Sequence, residues 1–120
     1  MKTQDLKLKG AKLIFPKVFK DERGFFLESY HYEKYQKNGV LTPFVQDNHS
    51  LSTYGVVRGM HFQEKIGQAK LIRVSSGKIY DVIVDIRPDS ETFKKWQGVY
   101  LDDEEHHQLF IPVGFAHGFC

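Results

Sequence analysis

Arg58-Gly59-Met60-His61, Lys70 and Pro112-Val113-Gly114-Phe115-Ala116-His117 are the stretches whose residue types and spacing could do chemistry. Two histidines, an arginine and a lysine, each beside strand-forming sequence, would supply a base, an anion clamp and a cation for developing negative charge. Brought together in one barrel, such a set suits abstraction of a proton next to a carbonyl. Taken singly, each residue has a plainer explanation. A strand histidine is more often a hydrogen-bonded filler, a strand lysine an exposed charge, and an arginine one half of a surface ion pair. The combination carries the chemical reading. Arg58 lies three positions before His61, so regular alternation would send it to the opposite face. A bulge at Gly59 would bring both inward.

The elements that must position these residues are mostly strands. Ala11 to Phe15 is expected as a first strand ended by Pro16, and Asp21-Glu22-Arg23-Gly24 as a turn before an extended run from Phe25 to Ser29. Tyr30 to Asn38 is expected as a short helix with Gly39 as its C′ residue. Phe44 to Ser50 and Val56 to Gln63 are further strand candidates. Ala69 to Val74 and Lys78 to Arg87 are expected as a hairpin joined by Ser75-Ser76-Gly77. In its second arm Tyr80, Val82, Val84 and Ile86 share one face, and Asp81, Ile83 and Asp85 the other. Trp96 to Leu101, Gln108 to Ile111 and Phe115 to Phe119 complete the set. His106 and His107, as neighbours, would point to opposite faces and are simplest as a solvated loop edge. Many short strands at turn-sized spacing with a single helix indicate an antiparallel sandwich or barrel of jelly-roll type.

Size and composition narrow the classes. A chain of 120 residues and 14.0 kDa is expected to be one domain, residues 1–120, burying roughly two-thirds of its unfolded surface. Aromatics at 14%, led by ten Phe and six Tyr, favour ring-lined β-structure over a helical bundle. The net charge of +2, mixed in sign along the chain, gives no nucleic-acid footprint. No apolar run approaches membrane-spanning length, and no hydrophobic signal core follows Met1. Cys120, the one cysteine, allows no internal disulfide, so a reducing cytoplasm is expected. A nucleophilic role for it is not.

Gly55, five residues and then His61 match the opening of the first cupin motif, and Pro112-x-Gly114-x-x-His117 matches the second. Metal-binding cupins continue the first motif with a second histidine and a glutamate. Here those places hold Gln63 and the run Gly67-Gln68-Ala69-Lys70. Two histidines beside an ammonium group make a poor divalent site, since a catalytic metal normally takes three protein ligands. No metal is expected, and a metal-dependent cupin oxygenase is a disfavoured alternative.

More specifically, the sequence resembles the dTDP-4-dehydrorhamnose 3,5-epimerases, the dTDP-sugar branch of the cupins. The matching stretches are Asp21 to Ser29, Val45 to Ser50, Val57 to Gln63, Gln68 to Val74, Asp81 to Arg87 and Ile111 to Phe119, in family order over nearly the whole chain. The resemblance implies an all-β fold, a cupin or double-stranded β-helix jelly-roll barrel with one short helix. It implies epimerisation at carbon 3, carbon 5 or both of a dTDP-linked 4-keto-6-deoxyhexose, in dTDP-rhamnose or related deoxysugar synthesis, with no cofactor. His61 falls at the position of the general base, and Lys70 and His117 where the pocket surrounds the keto oxygen and sugar hydroxyls. Arg58 falls at a substrate-contacting arginine. Arg23, Phe26, Glu28, Gln46, Asp47 and Asn48 match the segments that hold thymidine diphosphate. The resemblance also implies a homodimer with exchanged strands, a general-acid tyrosine beyond Cys120, and a carboxylate from the same later region that orients the base. A non-catalytic dTDP-sugar-binding module is the alternative from another class.

Overall fold

The structure is a computed structural model, and it describes residues 1–63 and 67–120. Among the described residues, ten strands and one helix follow in the order β1 (Lys2–Asp5), β2 (Lys12–Phe15), β3 (Val18–Asp21), β4 (Gly24–Leu27), α1 (Tyr32–Lys37), β5 (Arg58–His61), β6 (Lys70–Ile72), β7 (Lys78–Asp85), β8 (Trp96–Asp102), β9 (Gln108–Ile111) and β10 (Phe115–Phe119). Two four-stranded antiparallel sheets face each other, one ordered β1-β2-β9-β6 and the other β5-β10-β7-β8. The hairpin β3-β4 forms a separate two-stranded ribbon closed at Asp21 and Gly24, where the turn signal placed it. Among the described residues no helix is long and apolar enough to cross a membrane.

Alternation along the strands decides what lies between the sheets. Ile83, Leu101, Leu109, Ile111 and Phe115 point inward and pack with Leu8 and Ala11. Strand β9 is buried on both faces, because its outward residue Phe110 packs with Ile14, Tyr35 and Val40 under the helix. The helix has six residues, capped by His31 at its start and by Gly39 in the left-handed region after its end. Its one buried side chain, Tyr35, is driven into this second core. There its hydroxyl meets Gln108 at 2.7 Å and the Ser29 carbonyl at 2.8 Å, and burial pushes its pKa up to about 12.

Four expectations need correction. The strand expected first, at Ala11 to Phe15, is the second, because Lys2–Asp5 forms β1 and pairs with it. The stretches Ala69 to Val74 and Lys78 to Arg87 are not a hairpin: β6 pairs with β9 and β7 with β8 and β10, in opposite sheets. Ser75-Ser76-Gly77 therefore turns a corner across the sandwich. Both flanking runs form strands as expected, but pairing choice is a tertiary matter that local β-propensity does not encode. Phe44 to Ser50 is not a strand, since no neighbouring strand pairs with it among the described residues. His106 and His107 are not a solvated edge: each packs against a phenylalanine, Phe25 and Phe15 respectively, with ring centroids 4.5 Å apart.

Candidate active site

Strands β5 and β10 lie side by side, and His61 and His117 are direct cross-strand partners. Two steps along β10, from His117 to Phe119, correspond to three along β5, from His61 back to Arg58. The extra residue is the bulge anticipated at Gly59. A side chain there is impossible as the strands stand, because a Cβ on Gly59 would lie 2.6 Å from the Gly118 Cα. His61, itself exposed, lines a cavity of about 240 Å³ together with Gln63, Gln68, Lys70, Ile86 and Phe115.

Lys70 reaches the same cavity from the opposite sheet. It pairs with Ile111, an inward residue of β9, so its stem crosses the gap between the sheets. Its ammonium lies 3.4 Å from His117 Nδ1. On the far side of that ring, His117 Nε2 is 2.8 Å from an oxygen of Asp81. The His117 and Asp81 side chains are almost or fully out of contact with solvent. Burial pushes the Lys70 pKa down, opposed by the Asp81 charge. Burial likewise pushes Asp81 up, only partly offset by the bond and charge of His117 and by Lys70. One chain of contacts thus runs from the cavity through an amine and an imidazole to a carboxylate.

The other residues singled out from sequence do not gather here. Arg58 is in the bulge, but its guanidinium bonds Ser52 Oγ at 2.8 Å and lines a separate apolar depression with Met60, Tyr80 and Phe119. Arg23 is held by Asp21 at the tip of the β3-β4 ribbon, Phe26 is exposed on that ribbon, and Glu28 pairs with Lys34. Gln46 bonds Asn48, and Asp47 is exposed beside them on the unpaired stretch. Asp81 is the member that sequence reasoning missed. Its signal was present, as a carboxylate on the inward side of an alternating strand beside Ile83. Among the described residues no three of His, Cys, Asp and Glu stand close enough to hold a metal ion.

Facing antiparallel sheets closed as a jelly roll, with polar side chains gathered at one inner end, are the cupin architecture. Comparison with known proteins makes the assignment specific. The family model for dTDP-4-dehydrorhamnose 3,5-epimerase matches residues 5–120, and the chain belongs to that family. The dTDP-4-dehydrorhamnose 3,5-epimerase of Methanothermobacter thermautotrophicus is 52% identical over 112 residues, which are 93% of this chain and 60% of that protein. The crystal structure of the Bacillus anthracis enzyme of that name, with TDP and pyrophosphate bound, superposes with a TM-score of 0.94 at 50% identity. That match covers 99% of this chain and 69% of that one. A 3,5-epimerase from Legionella pneumophila in complex with dTDP-4-keto-L-rhamnose gives a TM-score of 0.94 at 46% identity, covering 98% and 63%. The chain spans about three-fifths of the length of the first two curated relatives it matches.

Proposed function

We propose that this chain acts as an isomerase that inverts carbon 3, carbon 5 or both of a dTDP-linked 4-keto-6-deoxyhexose. The ketone makes the hydrogens on both flanking carbons acidic, because the electron pair left behind delocalises onto oxygen. His61 takes the proton, the C–H bond breaks, and an enolate forms. Lys70, with His117 beside it, faces that oxygen and stabilises its charge. Return of a proton to the opposite face of the carbon restores the ketone with inverted configuration. The resemblance assigns that second proton to a tyrosine beyond residue 120. A placed base contributes about 10²- to 10⁴-fold, and a cation aimed at the oxyanion about 10²- to 10³-fold. Electrons balance within the sugar, so no redox cofactor is required.

One observation carries this reading. His61 and Lys70, from opposite sheets, open onto the same cavity, and the Lys70 ammonium is fixed against His117 at 3.4 Å. The cavity is smaller than the roughly 300–1,000 Å³ that encloses a drug-sized ligand, which suits a sugar ring with its nucleotide lying outside. Arg23, Phe26, Glu28, Gln46, Asp47 and Asn48 would hold that nucleotide, with Arg58 contacting the substrate. Arg23 would exchange its exposed partner Asp21 for a phosphate, a charge-assisted bond of higher specificity. Val45, Leu51 and Tyr54 are almost wholly exposed on the unpaired stretch, which supports a homodimer in which it packs on a second copy. Cys120, exposed and free, suits a reducing cytoplasm.

The test is proton exchange in heavy water with a dTDP-4-keto-6-deoxyhexose. Solvent deuterium should enter one or both flanking carbons, and the count separates a monoepimerase from a 3,5-epimerase. His61→Ala should cut exchange at least about 10²-fold while thymidine diphosphate still binds. Parallel loss of exchange and binding would make His61 structural. Nucleotide binding by the unaltered chain with no exchange would make it a binding module.

A further inference from the structure

We propose that Asp81 is a positioning residue that fixes the ring of His117 in one tautomer and so aims the Lys70 ammonium into the cavity. The inference rests on the enolate reading above and deepens it. Asp81 stands on β7 with Phe119 as its cross-strand partner on β10, and its side chain is wholly inaccessible to solvent. One carboxylate oxygen lies 2.8 Å from His117 Nε2, a distance that requires a shared proton. The other oxygen accepts no hydrogen bond from any described residue. A buried carboxylate with one bare oxygen is costly, and a core histidine could be satisfied by a backbone carbonyl at less cost. What a carbonyl would not supply is a negative charge two contacts away from Lys70.

The geometry permits one proton between Lys70 Nζ and His117 Nδ1, 3.4 Å apart. In water an ammonium holds its proton about four pK units more tightly than an imidazolium. Burial of Lys70 loosens its hold on that proton, and the Asp81 charge opposes the loss. The proton therefore belongs to the lysine, and Nδ1 must be a bare acceptor. It can be one only if the ring's single proton is on Nε2, where Asp81 accepts it. With one N–H donated to Nδ1, the ammonium has two left, and its direction is set for an oxygen in the cavity. A hydrogen-bonded filler pair would need none of this order, since Lys70 could simply extend to solvent.

Nitrogen-15 NMR of the His117 ring in the free protein reads the assignment directly. The expected spectrum shows Nε2 protonated and Nδ1 bare at neutral pH. A ring protonated at Nδ1, or at both nitrogens, overturns the proposal, and this measurement needs neither substrate nor variant. Asp81→Asn replaces a pure acceptor with a group that donates at one atom and accepts at the other. It should mix the tautomers and lower kcat by about 10- to 10²-fold, because Lys70 loses its aim, with KM changed less than about threefold. Unaltered ring signals or kcat, or KM rising as far as kcat falls, would overturn it. Failure of the unaltered chain to exchange deuterium while its His117 ring shows the expected tautomer would instead sink the functional reading and spare the positioning claim.

Discussion

Gly59 decides whether His61 can face the cavity at all. Its φ of +113° is closed to side chains, and a Cβ would also meet the His117 carbonyl oxygen at 2.7 Å. Gly77 has a comparable φ of +90° but open space around the missing Cβ. Gly77→Ala should therefore cost only the backbone term, about 1–2 kcal/mol. Gly59→Ala should cost that and a displacement of β5 from β10, for a total of about 3 kcal/mol or more. Urea unfolding of the two variants checks the difference, and equal midpoints would mean the strands part freely. At this scale the residues that meet at the cavity were largely legible. His61 and His117 stood out because they fit two spaced motifs, and Lys70 because it adds a cation to them. Asp81 did not, because an aspartate in a strand reads as solvated until the sheet it faces is known. Arg58 was legible as a candidate, yet its side chain follows Ser52 and not His61, a choice made by a loop whose path no local pattern gives.

Strand β7 is the element on which the site depends, and its far end is fastened by a second buried carboxylate. Asp85 accepts from the Arg87 backbone and guanidinium and from the hydroxyls of Ser90 and Thr92, closing the loop into β8. The same guanidinium bonds the Lys9 carbonyl and lies 4.6 Å from the Phe115 ring at the start of β10. Burial works to raise the Asp85 pKa, but these donors outweigh it and hold the carboxyl well below its ordinary value of 3.8. The unfolded chain thus takes up the proton first on acidification. The stabilisation is complete above about pH 4 and is lost as pH falls below it. Asp85→Asn should lose about 3 kcal/mol at neutral pH by stranding a partly buried guanidinium, and the deficit should shrink from pH 4 downward. A deficit constant from pH 7 to pH 3 would show that the charge is not what matters. Element types were legible here, since alternation in β7 separated Asp81, Ile83 and Asp85 from Tyr80, Val82 and Val84. Pairing was not. The turn at Ser75-Ser76-Gly77 has hairpin composition, and only the need to cover both sheets makes it a corner.

These 120 residues expose more surface than a compact folded monomer of their mass. A compact chain of this length has a radius of gyration of about 13.6 Å, whereas the Cα atoms here give 14.6 Å. The accessible surface of 8698 Å² likewise exceeds the roughly 6,700 Å² expected of a folded monomer of this mass. Much of the excess lies on the β3-β4 ribbon and on residues 41–57, where Val45 is 95% and Leu51 86% exposed. These are also the segments that carry the proposed nucleotide contacts. An apolar stretch with unpaired backbone groups is stable only when something pairs with it, and the proposed homodimer supplies a second copy to do so. The chain should therefore sediment as a dimer. Val45→Asp with Leu51→Asp should shift it toward monomer and weaken thymidine diphosphate binding by at least about tenfold, roughly 1.4 kcal/mol, because the nucleotide segments lose their support. The His117 ring, held by Asp81 within one sheet, should keep its NMR signals in that monomer. A native chain that sediments at 14.0 kDa and still binds nucleotide would show that these residues serve the ligand without a partner copy.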